Sequence, residues 1–526
     1  MAFLWFKKYI LPVKANHVES VEFSTNHRVD QKPPPPESAD IKDFGFYLKI
    51  IVLIISCFAV YYPILFNDFI YDWDDQWQVM NHYTEGGFNL NNLWAIFTNF
   101  FGGQYSPINE CMYLFIYSIF GYNPMAFHLA SLFLHSGCVC LAYIIIIRIF
   151  AQTKHHTTVN ASAIAFVTAL LFAVHPLNVE SVAWVSASKI VVYAFFYLLA
   201  TYTYLIYLDR KKIAFYFLTI FLFVLSYGGK EQAITFPFWI LMLYCLLGHS
   251  FKVRKLLLEV APIFVLSIAF GIATMLSHAS NGGGVLTNAE TYPLWQRFIF
   301  GCYSAIEYVV KFTIPFNLLY IYPFPMVIGE PLPDWMLFYP AIIFIVLVSF
   351  WQYVKQSPLS VGLTFFLIHI AFMLHIVPMS RFVIIADRYI YLACIGLAFI
   401  FAWYLIVFLT NKTGLLKKVV IGCFFCVAFS LIVYSNVRCR DWKDTNSIKK
   451  EMRELLKKRN NFVPPPETIK LMKGKNNNDH STYEKETSDK MLEVQNYNDD
   501  TKKNIMHICS IFFTFFSYNF LTNNLN

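Results

Sequence analysis

The run Asn67-Asp68-Phe69-Ile70-Tyr71-Asp72-Trp73-Asp74-Asp75 sets four carboxylates within eight residues, directly behind an apolar stretch. Like charges crowded beside hydrocarbon raise one another's pKa, and a carboxylate so perturbed suits a general base or a metal ligand. A solvated acidic loop that marks one face of a membrane accounts for the same residues without chemistry. Further on, His175 and Glu180 flank a short turn that Lys189 closes, Lys230 stands beside Glu231, and Arg381, Arg388 and Tyr389 precede another apolar run. A buried, hydrogen-bonded turn, or a structural Lys230–Glu231 ion pair, competes with substrate contact for these. His128 and His135 lie seven apart and so share a helix face, where structural hydrogen bonding is preferred to metal binding.

The elements that must position these residues are membrane helices. The chain has 526 residues, 57% of them hydrophobic and 14% charged, with a mean hydropathy of +0.49. A soluble domain carries about 25% charged residues. About 20 apolar residues cross a bilayer core, and runs of that kind occupy 46–66, 124–148, 159–175, 189–208, 213–228, 233–249, 256–276, 336–353, 359–377, 391–410 and 418–435. The expectation is an all-α polytopic protein of about 11 transmembrane helices. Segment 298–314, which carries Glu307 and Lys311, reads as re-entrant or interfacial. Apolar residues at 90, 93, 94, 97, 100 and 101 predict an amphipathic interfacial helix in the first outer loop.

Lys and Arg mark cytoplasmic loops. Asp209-Arg210-Lys211-Lys212, Lys252-Val253-Arg254-Lys255, Lys355 and Lys412 with Lys417-Lys418 therefore face inward. The segments 67–123, 176–188, 229–232, 277–335 and 378–390, which hold most of the notable polar residues, then face outward. Residues 1–45 form a cytoplasmic N-terminal segment without a secretory signal, and Pro33 to Pro36 make a stiff spacer. Residues 46–435 form the membrane domain, and 436–526 a polar tail, largely disordered, with a basic helix near 446–459. Twelve Lys/Arg against five Asp/Glu within 437–475 argue for a cytoplasmic tail, against the orientation set by the basic loops. The net charge of +8 sits in short loops and termini, so no nucleic-acid partner is expected, whereas membrane lipids are. The 11 cysteines read as buried apolar residues rather than metal ligands. Asn281-Gly282-Gly283-Gly284 lacks the strand and helix context of a nucleotide loop.

Several motifs occur in order: Gln104-Tyr105-Ser106-Pro107, Phe120-Gly121-Tyr122-Asn123-Pro124, Phe127-His128-Leu129 and His175-Pro176-Leu177-Asn178-Val179-Glu180-Ser181-Val182-Ala183-Trp184-Val185-Ser186. Gly229-Lys230-Glu231, Pro315-Phe316-Asn317-Leu318 and Ala386-Asp387-Arg388-Tyr389-Ile390-Tyr391-Leu392 follow. Over about residues 60–445 the chain resembles the membrane domain of the tetratricopeptide-repeat O-mannosyltransferases and their bacterial relatives, polytopic glycosyltransferases of the GT-C class. The resemblance implies a GT-C-like fold and transfer of a sugar from a polyprenyl-phosphate carrier to an acceptor hydroxyl on the non-cytoplasmic face. The acceptor is not specified. It also implies that Asp74 and Asp75 lie at the catalytic centre.

That chemistry needs a base at the hydroxyl and cations at the departing phosphate. Asp74 is the first choice of base and Asp75 the second, acting directly or through a divalent cation; no resident cofactor or metal is assigned. Arginine's planar fork matches phosphate oxygens, which makes Arg388 the leading phosphate ligand, followed by Lys230 and Arg381. The alternative for Arg388 is pairing with Asp387. His175, Glu180, Lys189, Glu231 and Tyr389 complete the expected pocket. Two departures stand out: Ile190 occupies the position of the family's usual Asp, and tetratricopeptide repeats are not found in 436–526. The wording of the motifs favours a bacterial inner membrane, with the endoplasmic reticulum as the alternative. A transporter or flippase of lipid-linked glycans, or a non-catalytic relative, are the competing readings.

Overall fold

The structure is a computed structural model that describes residues 44–71, 73–153, 160–247, 253–280, 292–316, 318–326, 328–356, 358–375 and 383–457. Arg381, Asp72, Asn317, Lys252, the Asn281–Gly284 loop, the Pro33–Pro36 spacer and the tail beyond 457 lie outside the described residues.

Every apolar run expected to span forms a helix. They are α1 (Phe44–Tyr61), α4 (Pro124–Gln152), α5 (Ala161–Val174), α6 (Ser188–Arg210), α7 (Ile213–Tyr227), α8 (Phe236–Leu246), α9 (Val253–Ser280), α11 (Phe338–Gln356), α12 (Pro358–Ile370), α13 (Cys394–Thr410) and α14 (Gly414–Asp441). Helices α2 (Leu90–Thr98) and α3 (Pro107–Phe120) lie between α1 and α4. Helix α10 (Leu294–Thr313) precedes α11, and α15 (Thr445–Lys457) ends the described chain.

The expected eleven crossings are only partly matched by helix length. Among the described residues five segments are long and apolar enough to cross: Phe44–Phe66, Pro124–Gln152, Val185–Arg210, Leu258–His278 and Gly414–Asp441. A sixth arises if Ala161–Val174 and Pro176–Ala183, bent by 54°, count as one span. Among the described residues, shorter apolar segments are Ile213–Tyr227, Glu231–Leu246, Asp334–Ser349, Pro358–Met373 and Cys394–Thr410; at about 1.5 Å per residue Cys394–Thr410 reaches about 25 Å, short of a hydrocarbon core of about 30 Å.

Lipid-facing surfaces follow composition. Leu258, Val265, Ile268 and Ile272 on α9, and Leu415, Phe425, Phe429 and Val437 on α14, are exposed. Between helices the packing is close. A Cβ on Gly362 of α12 would lie 2.6 Å from the Gly396 carbonyl oxygen of α13, so only hydrogen fits there. The interfacial helix forms as expected: the Asn89 side chain accepts from Asn92 N at 2.8 Å to start α2, while Leu90, Trp94 and Phe97 turn outward. Segment 298–314 is the amphipathic helix α10, which buries Ile299, Phe300, Tyr303 and Tyr308 and pairs Lys311 with Glu307 at 2.9 Å.

The end of α14 returns to the first loop. Asn67 Nδ2 donates to Cys439 O (2.9 Å), Asp68 N to Lys443 O (2.7 Å) and Thr445 Oγ1 to Tyr71 O (2.8 Å). Residues 439–445 therefore share a face with the acidic loop.

Gly362→Val overpacks the α12–α13 crossing and is expected to cost about 1–3 kcal/mol, read as a lower melting temperature of the detergent-solubilised protein.

Candidate active site

The site begins at a helix break. Pro176 has no N–H and drives its predecessor to an extended conformation, so α5 stops at Val174 and His175 takes ψ 129°. The break is stitched internally: His175 Nδ1 accepts from Leu177 N (3.3 Å), its Nε2 bonds Phe312 O (3.0 Å), and Asn178 Nδ2 donates to Phe172 O (2.7 Å). Ser435 Oγ donates to Val174 O at 2.7 Å. The chain then turns through a short helix, Val179–Ala183. That turn carries Glu180 and Trp184 to the face holding the acidic loop. His175 stacks on Phe312 (centroids 4.6 Å apart) and is structural.

Asp74 and Asp75 point in different directions. Asp75 is fully buried. One carboxylate oxygen accepts from Ile70 N (2.8 Å); the other accepts from Ser186 N (2.9 Å) and Ser186 Oγ. Burial pushes its pKa up to about 6 against the lowering effect of these bonds. Asp75 thus ties the first loop to the 185–187 turn, and its oxygens are occupied by that task. It does not stand beside Asp74 as a second base or as half of a cation pair. Asp74 makes no capping hydrogen bond to the four-residue helix Asp75–Gln78 that it precedes. It lines a cavity of about 150 Å³ together with Lys189, Lys230, Glu231, Arg388 and Tyr389.

The cations of this cavity are each held by named partners. Arg388 Nη1 pairs with Glu180, whose other oxygen accepts from Arg388 N at 2.9 Å. The guanidinium lies over Trp184 (5.5 Å) and Tyr389 (4.9 Å). The Glu180 carboxylate raises the already high Arg388 pKa further, so the side chain stays charged. Asp387, the partner that sequence adjacency suggests for Arg388, is engaged elsewhere: it bonds Arg438 Nη2 (3.1 Å) and Tyr322 OH (3.0 Å) in a buried cluster. Lys230 pairs with Glu231 at 3.1 Å, and Lys189 Nζ donates to Gln78 Oε1 (2.7 Å) and Gln104 Oε1 (2.6 Å). Ile190 is buried at the cavity wall.

Of the expected residues, Asp74, Lys189, Lys230, Glu231, Arg388 and Tyr389 converge on the cavity. Glu180 supports Arg388 from behind, while Asp75 and His175 are structural ties. His135 bonds Tyr391 OH (2.7 Å) and Ala173 O (3.3 Å) within the core. Among the described residues no group of three or more His, Cys, Asp or Glu could hold a metal ion. Sequence reasoning missed Gln78 and Glu110. Glu110 is buried on α3 and accepts from Asn81 Nδ2 at 3.2 Å; burial lifts its pKa to about 7. An acidic residue on the inner stripe of an amphipathic helix was the available signal.

No family model matches the chain. Over 222 residues it is 32% identical to human "Protein O-mannosyl-transferase TMTC1", an alignment covering 40% of this chain and 22% of the relative. Human "Protein O-mannosyl-transferase TMTC4" is 30% identical over 172 residues, 30% of this chain and 22% of the relative. Mouse TMTC4 is 27% identical over 214 residues, 38% of this chain and 26% of the relative. The chain thus spans about a quarter or less of the curated relatives it matches and is related to them over part of its own length. These relatives are mammalian and lend no support to the bacterial inner membrane expected above; the multi-pass membrane character stands on the long apolar helices.

Because the folded pKa of Glu110 is raised above the ordinary carboxylate value, the folded state holds its proton longer than the unfolded chain as pH rises. That contribution to stability therefore falls between about pH 4.5 and 7. Glu110→Gln removes it. The variant should gain stability relative to the wild type across this window by up to about 3 kcal/mol, seen as a pH-dependent difference between the two melting temperatures.

Proposed function

We propose that this protein is a GT-C-like glycosyltransferase that moves a mannose-type sugar from a polyprenyl-phosphate carrier to an acceptor hydroxyl. The reaction would take place on the non-cytoplasmic side of the endoplasmic reticulum membrane. The observation that carries the proposal is that Asp74, Arg388, Lys230 and Lys189 line one cavity. The partial relationship to O-mannosyl-transferases supports the same reading. The reading is supported by a carboxylate that could take a proton and fixed cations that could receive a phosphate, side by side on one cavity wall.

In this mechanism the acceptor hydroxyl gives its proton to an Asp74 carboxylate oxygen as its own oxygen bonds to the anomeric carbon. The bond from that carbon to the carrier's phosphate oxygen breaks, and the electron pair leaves with the phosphate. Arg388 and Lys230 neutralise the charge that develops there. Arg388 is fixed before substrate arrives by Glu180 and by the rings of Trp184 and Tyr389, so little reorganisation is needed at the transition state. Asp75 acts only by holding the loop on which Asp74 stands. A divalent cation serving this reaction would meet Asp74 and Glu231 as the carboxylates of the cavity wall. The exposed apolar face of α2, close to the loop, suits a carrier that arrives through the lipid.

Asp74→Asn should lower transfer from polyprenyl-phosphate mannose by about 100-fold or more, with little change in donor KM. Arg388→Ala should instead raise donor KM as well as lower turnover. Both are measured as radiolabelled mannose leaving the lipid fraction in proteoliposomes. Undiminished transfer by Asp74→Asn, or movement of intact lipid-linked sugar without cleavage, would refute the proposal.

A further inference from the structure

Three tryptophans from distant parts of the chain meet beside the cavity. Trp73 immediately precedes Asp74, Trp184 lies beneath Arg388, and Trp442 directly follows α14. The Trp184–Trp442 rings stack with centroids 5.4 Å apart and planes 19° apart; Trp73–Trp442 are 6.1 Å and 16° apart. Trp73–Trp184 are 5.3 Å apart. Trp442 is buried, and Tyr320 meets its edge at 5.3 Å. The indole N–H of Trp442 has no hydrogen-bond partner among the described residues. Burying such a donor is unfavourable, so the indole contributes here through its stacking area.

The same stretch of chain grips both sides of the cavity a second time. Arg438, one turn earlier, holds Asp387 next to Arg388 and donates to Leu318 O at 2.9 Å. Lys443 O and Thr445 Oγ1 bond the backbone of Asp68 and Tyr71, just before Asp74. Nothing in residues 438–445 lines the cavity itself.

We infer that Trp442 is a positioning residue: its indole locks Trp73 and Trp184 together and so sets the distance between the Asp74 carboxylate and the Arg388 guanidinium. The inference rests on the reading of the cavity as a transferase site. It adds that the segment after α14 belongs to the catalytic unit.

The test compares full-length wild type, Trp442→Leu, Trp442→Phe and Thr445→Val in nanodiscs. Hydrogen–deuterium exchange is read over 70–78 and 181–189, together with mannose transfer from polyprenyl-phosphate mannose per monodisperse molecule. Trp442→Leu should speed exchange in both segments together and lower turnover by about 100-fold, the scale on which small misplacements of reacting groups act. Trp442→Phe, which keeps an aromatic face, should recover most of both. Thr445→Val removes one tie without touching the indoles and should shift exchange in 70–78 in the same direction, which keeps the test decisive if Trp442→Leu does not fold. Unchanged exchange in both segments, or wild-type turnover per folded Trp442→Leu molecule, would overturn the inference. A wild type that transfers no mannose would overturn the proposed function instead, and the exchange data would still decide the role of Trp442.

Discussion

A buried carboxylate holds this site together. Asp75 accepts three hydrogen bonds, from Ile70 N and from the backbone and hydroxyl of Ser186, and thereby joins two segments 111 residues apart in the chain. Taking a carboxylate out of water is costly, and only such complete pairing makes it tolerable. Because the tie is made by Asp75, the adjacent Asp74 faces the cavity. The short turn at 185–187, which Asp75 grips, in turn carries Trp184 on one side and Lys189 on the other. Loss of this tie would leave Asp74, the ring beneath Arg388 and the buried lysine without a common frame.

The wider architecture serves the same convergence. A proline break after α5 brings Glu180 up to meet Arg388, which arrives from a segment 208 residues later. Arg438 of α14 occupies Asp387, so that Arg388 pairs with Glu180 and its guanidinium reaches the cavity wall. The buried Asp387–Arg438 pair is weak evidence for stability, since desolvation offsets much of its attraction. Its visible effect is orientational: it separates two adjacent charged residues into an inward one and a cavity-facing one, as Asp75 and Asp74 are separated on the opposite wall.

Much of this could be read from residues alone, for definite reasons. Apolar runs of sufficient length gave helices in every case, and the spacing at 90, 93, 94 and 97 foretold the interfacial helix, because both follow from one-dimensional periodicity. The acidic loop was conspicuous because charged residues beside hydrocarbon are expensive, whereas Lys189, Lys230, Glu231 and Arg388 drew notice through the family resemblance. The division of labour between Asp74 and Asp75 was not legible: adjacent identical side chains differ only in the direction they point, which a partner 111 residues away decides. Nor were the Glu180–Arg388 and Asp387–Arg438 pairings, since each depends on tertiary contacts. Helix ends differ from the apolar runs, α9 and α14 extending beyond them at both ends and α13 starting three residues later, because hydropathy does not report the caps and turns that start and stop a helix.

The proposed role of the cavity bounded by the first loop and the segment around Arg388 is to receive a lipid-linked phosphate. Photo-crosslinking with a diazirine-bearing polyprenyl phosphate, mapped by mass spectrometry in native membranes, addresses it most directly. Labelled peptides containing Tyr105, Trp184 and Tyr389, competed away by unlabelled polyprenyl phosphate, are the expected result. Competable labelling confined to other parts of the membrane helices, with these peptides unmodified, would contradict the account.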